Sequence, residues 1–199
     1  MAESGDAVRL IAGLGNPGAE YARTRHNAGF WLIDALADRL GAHLKPSRQL
    51  KGETASVEVA GHPLRLFKPN SYVNVSGASI AAACRYFRIP TSALLVAHDD
   101  IDLPDGAARL KFSGGHGGHK GIRDITQHLG KDFWRLKLGV GHPGRASEVV
   151  GYVLKPLSSS DRAAVDQAVQ QVLEHAGSLV AGDFQSVMNA LHDPNGLTG

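Results

Sequence analysis

Cysteine is almost missing from this chain: Cys84 stands alone among 199 residues. One thiol allows neither an internal disulfide nor a cysteine metal cluster. Cys84 lies among Ile80, Ala83 and Phe87 at helical spacing, so it reads as a buried structural thiol rather than a nucleophile. Excess charge is equally scarce. The 21 basic side chains barely outnumber the 19 acidic ones, for a net charge of +2. That argues against a long, general nucleic-acid footprint and still permits a local basic patch that grips a few phosphates. No apolar run approaches the roughly eighteen residues that a membrane span needs. The opening Met-Ala-Glu-Ser-Gly-Asp is acidic and small, unlike a secretory signal, and the expected compartment is the cytoplasm. Neither a repeat nor an interdomain linker is visible. One domain over residues 1–199 is expected, with flexible ends at 1–7 and 193–199.

The informative stretch runs from Val8 to Asp34. Val8 to Ala12 is apolar and stops at glycines, as a buried strand does. Gly13, Gly15 and Gly18 permit sharp turns and leave room for a ligand. From Ala28 onward the period changes. Ile33, Leu36, Ala37 and Leu40 share one helical face, with Asn27 placed to cap that helix. His26 therefore falls at a loop-to-helix junction near the carboxyl end of a strand, where open α/β folds place their chemistry. Gly13-Leu-Gly15-Asn-Pro-Gly18 also matches the dinucleotide fingerprint G-x-G-x-x-G. That fingerprint needs a helix starting inside the glycines and an acidic residue closing a second strand. Pro17 delays the helix, and Asp34 lies within it, so the nucleotide reading is set aside.

Further on, Gly41 to Lys51 is polar and irregular. Thr54 to Val59 and Leu64 to Phe67 read as a hairpin around Ala60-Gly61-His62-Pro63. Ser76 can cap a helix carrying Ile80, Ala83, Cys84 and Phe87, and Asn74 just before it can be a turn amide. Leu94 to Ala97 is a short buried strand running into His98-Asp99-Asp100-Ile-Asp102. Three carboxylates there can hold a divalent metal, orient a histidine, or form a solvated acidic turn. Ala108 to Phe112 alternates as a strand. A loop, Ser113-Gly-Gly-His116-Gly-Gly-His119-Lys120, then leads to a helix with Ile122, Ile125 and Leu129 inward. His116 and His119 have metal-pair spacing, yet the glycines give no helix to hold it and no third ligand is nearby. Trp134 to Val140 reads as the last main strand. Ser158 opens a long amphipathic helix through Val165, Val169, Val172 and Ala176, Gly182 stops it, and Asp183 caps a final helix. This order implies a single three-layer α/β domain: a twisted, mixed, mostly parallel sheet with helices on both faces.

Five separate segments, in order, resemble the bacterial peptidyl-tRNA hydrolase family. They are Gly-Leu-Gly-Asn16-Pro-Gly-Ala-Glu-Tyr21, then Thr24-Arg-His26-Asn-x-Gly29, then Pro69-x-x-Tyr72-x-Asn74-x-Ser-Gly77. The fourth is His98-Asp99-x-x-Asp102-Leu-Pro104, and the fifth is Gly114-Gly-His-Gly-Gly-His119-Lys120-Gly121. Trp134 to Pro143 is similar as well. The resemblance spans nearly the whole chain. It implies that His26 is the general base, with Asp99 as its partner, acting on water. It also implies that Asn16, Tyr21, Tyr72, Asn74, His119 and Lys120 meet the substrate. Lys111 and Lys137 correspond to a basic pair that clamps a tRNA phosphate. The implied substrate is peptidyl-tRNA, without cofactor or metal, handled by a monomer. Four positions depart from the family pattern, one of them mildly: Asp100 stands where the family often has glutamate. Lys120 replaces an asparagine, Val73 replaces a methionine, and Lys137 stands where arginine is common. Lys120 is longer, cationic and donor-only; it can reach an RNA phosphate or lower the basicity of a nearby histidine. The alternative is a non-catalytic RNA-binding relative with the same fold.

Overall fold

The computed structural model describes residues 6–192. The elements are β1 (Leu10–Gly13), α1 (Ala28–Arg39), β2 (Lys45–Ser47), β3 (Gly52–Val59), β4 (His62–Pro69), α2 (Gly77–Phe87) and β5 (Leu94–Asp100). There follow β6 (Ala108–Phe112), α3 (Lys120–Leu129), β7 (Trp134–Gly139), α4 (Val149–Val153), α5 (Ser159–Glu174), α6 (Ala176–Ala181) and α7 (Phe184–His192). Parts of the expected flexible ends, residues 1–5 and 193–199, lie outside the described residues.

One sheet runs in the order β2-β3-β4-β1-β5-β7-β6. Its centre, β4, β1, β5 and β7, is parallel. Antiparallel pairings β2–β3, β3–β4 and β6–β7 flank that centre, which gives the mixed sheet expected. Alternation along the strands sorts the core into two layers. Ile11, Leu66 and Leu95 face α1, α5, α6 and α7. Leu10, Phe67, Leu94 and Val96 face α2 and α3. Cys84 is buried in the second layer, and burial pushes its thiol up to about 11, as suits a packing residue.

Three boundaries differ from the sequence reading. The Gly41–Lys51 stretch contains β2, an edge strand of three residues too short to show a period; Pro46 is tolerated there because an edge needs fewer ladder bonds. The long helix bends at His175, and α6 then keeps Leu179 and Val180 on the same core as Val172. β5 continues past Ala97, because His98, Asp99 and Asp100 pair with Lys137, Leu138 and Gly139 of β7. The carboxylates at 99 and 100 are therefore strand residues.

Helix ends are handled partly as expected. Ser158 Oγ accepts from the Asp161 amide at 3.1 Å, and Asp183 Oδ1 accepts from the Ser186 amide at 3.2 Å. Ser76 does not cap α2. Its hydroxyl donates to the Tyr72 carbonyl, while Asp124 of α3 accepts the Gly77 amide at 2.7 Å. A carboxylate from the neighbouring helix thus does the capping and ties α2 to α3.

The glycines near the N-terminus do not make room for a ligand. A Cβ on Gly13 would lie 2.3 Å from the Gly29 carbonyl, and one on Gly15 would lie 2.6 Å from the Phe30 ring. A Cβ on Gly29 would lie 2.3 Å from the Ala97 carbonyl. These residues let α1 press directly onto β1 and β5. Gly29→Ala is expected to cost about 2 kcal/mol by overpacking against backbone. Calorimetry should show Tm lowered by roughly 4–8 °C, whereas Gly151→Ala, exposed in the middle of α4 with nothing within 4 Å of its Cβ, should raise Tm slightly, because alanine is the better helix former.

Candidate active site

β1 has β4 on one side and β5 on the other. Chain leaves it in both directions, which opens a crevice at the carboxyl ends of β1 and β5. His26 enters this crevice from the short 3-10 turn, Arg25–Asn27, that leads into α1. Asp99 points towards α1 by the alternation of β5, whereas His98 and Asp100 turn to the opposite face. His26 Nδ1 donates to Asp99 Oδ1 at 2.9 Å. From the other side, His119 Nε2 donates to the same oxygen at 2.9 Å. Asp99 is 1% exposed, so one buried carboxylate holds two imidazoles.

The tautomers follow from the remaining bonds. His119 is the N-cap of α3, and its Nδ1 accepts from the Ile122 amide at 3.3 Å. Its proton therefore sits on Nε2 and goes to Asp99. His26 gives its Nδ1 proton to Asp99, which leaves the Nε2 lone pair for the cleft. Burial alone would lower the pKa of His26, but the charge and hydrogen bond of Asp99 outweigh it and leave a net rise. Lys120 opposes that rise as the weakest contribution. Burial would likewise push Asp99 up; the two imidazoles overcome it and hold the carboxyl well below its usual range. His98 packs edge-on against His119, with ring centroids 4.7 Å apart, and donates from Nδ1 to the Asp99 carbonyl. Its burial, and then the nearby His119, push it far down, so it stays neutral.

Asn27 does not cap α1. Its side chain bonds both backbone groups of Asn16: Oδ1 accepts from the Asn16 amide at 2.9 Å, and Nδ2 donates to the Asn16 carbonyl at 3.0 Å. Asn16 Oδ1 in turn accepts from the Val73 amide at 2.9 Å. The carboxamide of Asn16 is thereby oriented, with Nδ2 turned to the cleft. Val73 serves through its backbone as well as its packing, since a Cβ on Gly121 would lie 2.6 Å from its Cγ1. Asn74, in the adjoining 3-10 turn, is exposed at the mouth. Tyr72 is 54% exposed and meets Tyr21 edge to face at 6.0 Å.

His26 and Asp99, the six expected substrate contacts and the two expected phosphate lysines all line the same open cleft of about 870 Å³, whereas Asp102 does not. One behaves differently from expectation. Lys137 is bound to Asp100 at 2.8 Å. Asp100 also accepts the Asp102 amide at 2.8 Å, so the three carboxylates do not converge as metal ligands. Nor do His116 and His119 pair, because His116 Nδ1 accepts from Gly118 within its own loop. The groups best placed for a metal are His26, Asp99 and His119, with ligand atoms within 4.8 Å of one another. Both facing nitrogens carry protons, and a metal would cost His119 its bond to Ile122. The donor set is that of a hydrogen-bonded triad.

Other residues escaped the sequence reading. Asn27 looked like a cap, and its position beside His26 was the available clue. Arg135 is buried and donates to the Gly114 carbonyl at 2.7 Å and to that of Gly115. Val149, Val150 and Leu154, on and after α4, form an apolar wall. Arg25 fixes that wall by donating to the Pro156 carbonyl at 3.1 Å and lying over the Tyr152 ring at 4.0 Å.

Among the described residues, the cleft lining contains no serine, threonine or cysteine. Fold and site together define a single-sheet α/β protein whose cleft presents an imidazole held by a buried carboxylate. Residues 10–197 match the family model described as peptidyl-tRNA hydrolase, and the chain belongs to that family. It is 48% identical to the peptidyl-tRNA hydrolase of Alcanivorax borkumensis, over 94% of this chain and 97% of the relative. Against that of Xanthomonas campestris pv. campestris it is 49% identical, over 94% and 98%. The crystal structure of peptidyl-tRNA hydrolase from Acinetobacter baumannii superposes with a TM-score of 0.90 at 43% identity, covering 92% of this chain and 94% of that one.

Because Asp99 raises His26, an NMR titration of the His26 imidazole should give a midpoint above the ordinary 6.5. Asp99→Asn removes the negative charge and should move that midpoint downward. An unchanged midpoint would show that the pair is not coupled.

Proposed function

We propose that this chain hydrolyses the ester between a nascent peptide, or another N-blocked aminoacyl group, and the 3′-terminal ribose of tRNA. In doing so it recycles tRNA from drop-off products of translation. The observation that carries the reading is the His26–Asp99 pair at 2.9 Å, with His26 Nε2 open to a cleft that offers no side-chain nucleophile. His26 takes a proton from water as the water oxygen attacks the ester carbonyl. The bond to the ribose oxygen breaks, and the imidazolium returns the proton to that oxygen. Asp99 stabilises the imidazolium while it lasts. An ester suits this equipment because an alkoxide leaves more readily than an amine.

Asn16 Nδ2 and the Asn74 amide hold the carbonyl groups of the peptide and the ester. His119 braces Asp99 from behind. Tyr21 and Tyr72 edge the entrance, and the α4 wall offers apolar surface to peptide side chains. Lys111 and Lys137 meet phosphate near the acceptor end, Lys137 while shared with Asp100. No cofactor is required. Among the described residues, no helix is long and apolar enough to cross a membrane. The proposed setting is a cytoplasmic monomer of one domain.

His26→Ala should lower kcat/KM on N-acetyl-aminoacyl-tRNA by about 10²- to 10⁴-fold with an unchanged circular dichroism spectrum. Retention of activity within tenfold would exclude His26 as the base. A chelator should leave the rate on a short N-blocked aminoacyl oligonucleotide unchanged, and loss of that rate would point to a metal.

A further inference from the structure

The cations of the cleft are not equivalent. Arg135 is buried and committed to the carbonyls of Gly114 and Gly115. Lys137 is committed to Asp100. Among the described residues, Lys111 and Lys120 have no carboxylate within ion-pair distance; the lysine pairs are Lys68–Asp34 and Lys137–Asp100. These two unpaired lysines bracket the glycine loop. Lys111 Nζ lies 2.9 Å from where a Gly114 Cβ would be, and Lys120 follows His119 at the other end.

The loop between them is shaped by Arg135. Drawing the carbonyls of Gly114 and Gly115 inward turns the opposite ends of those trans peptides, the amides of Gly115 and His116, outward. Among the described residues neither amide meets a protein acceptor; the internal bonds of the loop run from the Gly118 and His119 amides to His116. Around Gly115, Gly117 and Gly118 there is nothing within 4 Å of a Cβ position. A ligand can therefore approach the backbone directly. Outward amides on an open turn, flanked by unpaired cations, make an anion-binding concavity.

We propose that this loop binds a phosphodiester of the RNA strand close to the scissile ester, with Lys120 and the amides of Gly115 and His116 as donors. The proposal rests on the hydrolase reading and adds to it a contact by which the RNA part of the substrate is recognised. A phosphate fits Lys120 better than the oxyanion formed at the ester carbon. Oxyanion stabilisation needs a fixed donor in a water-excluded place. Lys120 is exposed, makes no hydrogen bond with its side chain, and ends in a mobile ammonium suited to a solvated phosphate. Lys120 lines the same cleft as His26.

The test compares wild type, Lys120→Gln and Lys120→Arg on two esters of the same N-blocked amino acid, one on tRNA and one on a nucleoside without phosphate. Lys120→Gln should lower the ratio of kcat/KM values, tRNA ester over nucleoside ester, by about three- to tenfold. The slope of log kcat/KM against log salt on the tRNA ester should flatten by about 0.7. Lys120→Arg should restore both. An equal loss on the two esters would overturn the proposal, because it would place Lys120 at the ester itself. Should wild type cleave neither ester, the hydrolase reading fails, and the site is then judged by binding of a short single-stranded RNA. Weaker binding with a flatter salt dependence in Lys120→Gln supports it; unchanged binding overturns it.

Discussion

One buried carboxylate organises this site. Asp99 is surrounded by protein, and a lone ion there would be strongly disfavoured. It remains ionised because His26 and His119 both donate to it. Each imidazole is in turn committed by that donation. His26 is left with a lone pair on its outer nitrogen, and His119 with an acceptor that caps α3. A single charge thus sets two tautomers and anchors the starts of two helices on opposite faces of the sheet.

That arrangement needs α1 to lie unusually close to the strands. Gly13, Gly15 and Gly29 supply the closeness, because any side chain at these positions would strike backbone or the Phe30 ring. The same compression brings Asn27 onto the backbone of Asn16. Asn16 then reaches the Val73 amide, so the β1–α1 connection and the turn after β4 share one hydrogen-bonded path. Packing and chemistry are not separable here, since the close contact that completes the core also aims the amide of Asn16.

The cleft divides its tasks by position. The triad sits at the base, the α4 wall supplies apolar surface, and cations gather around the glycine loop and the end of β7. The low net charge of the chain is compatible with an RNA substrate because the cleft cations are clustered and two of them are unpaired. Local unpaired charge governs phosphate recognition, and the whole-chain sum conceals it.

Much of this was readable from residue order. Apolar runs ending at glycines located β1, and the 3.6-residue period located α1, α2 and α5, because burial of one face imposes those periods directly. The motif segments named His26, Asp99 and their neighbours, and all of these residues meet in one cleft. Other features depended on contacts between distant segments. Asn27 and Ser76 carry capping chemistry, yet their partners lie elsewhere, and the choice between a local and a distant partner depends on which is nearer after folding. The pairing of Lys137 with Asp100 follows from the registry of β5 against β7. The freedom of Lys120 follows from the absence of a carboxylate beside it. Local pattern determined which residues could form elements and bear the chemistry. Long-range packing decided which of those side chains found partners and which were left for a substrate, because a hydrogen bond or ion pair depends on distances that sequence spacing does not set.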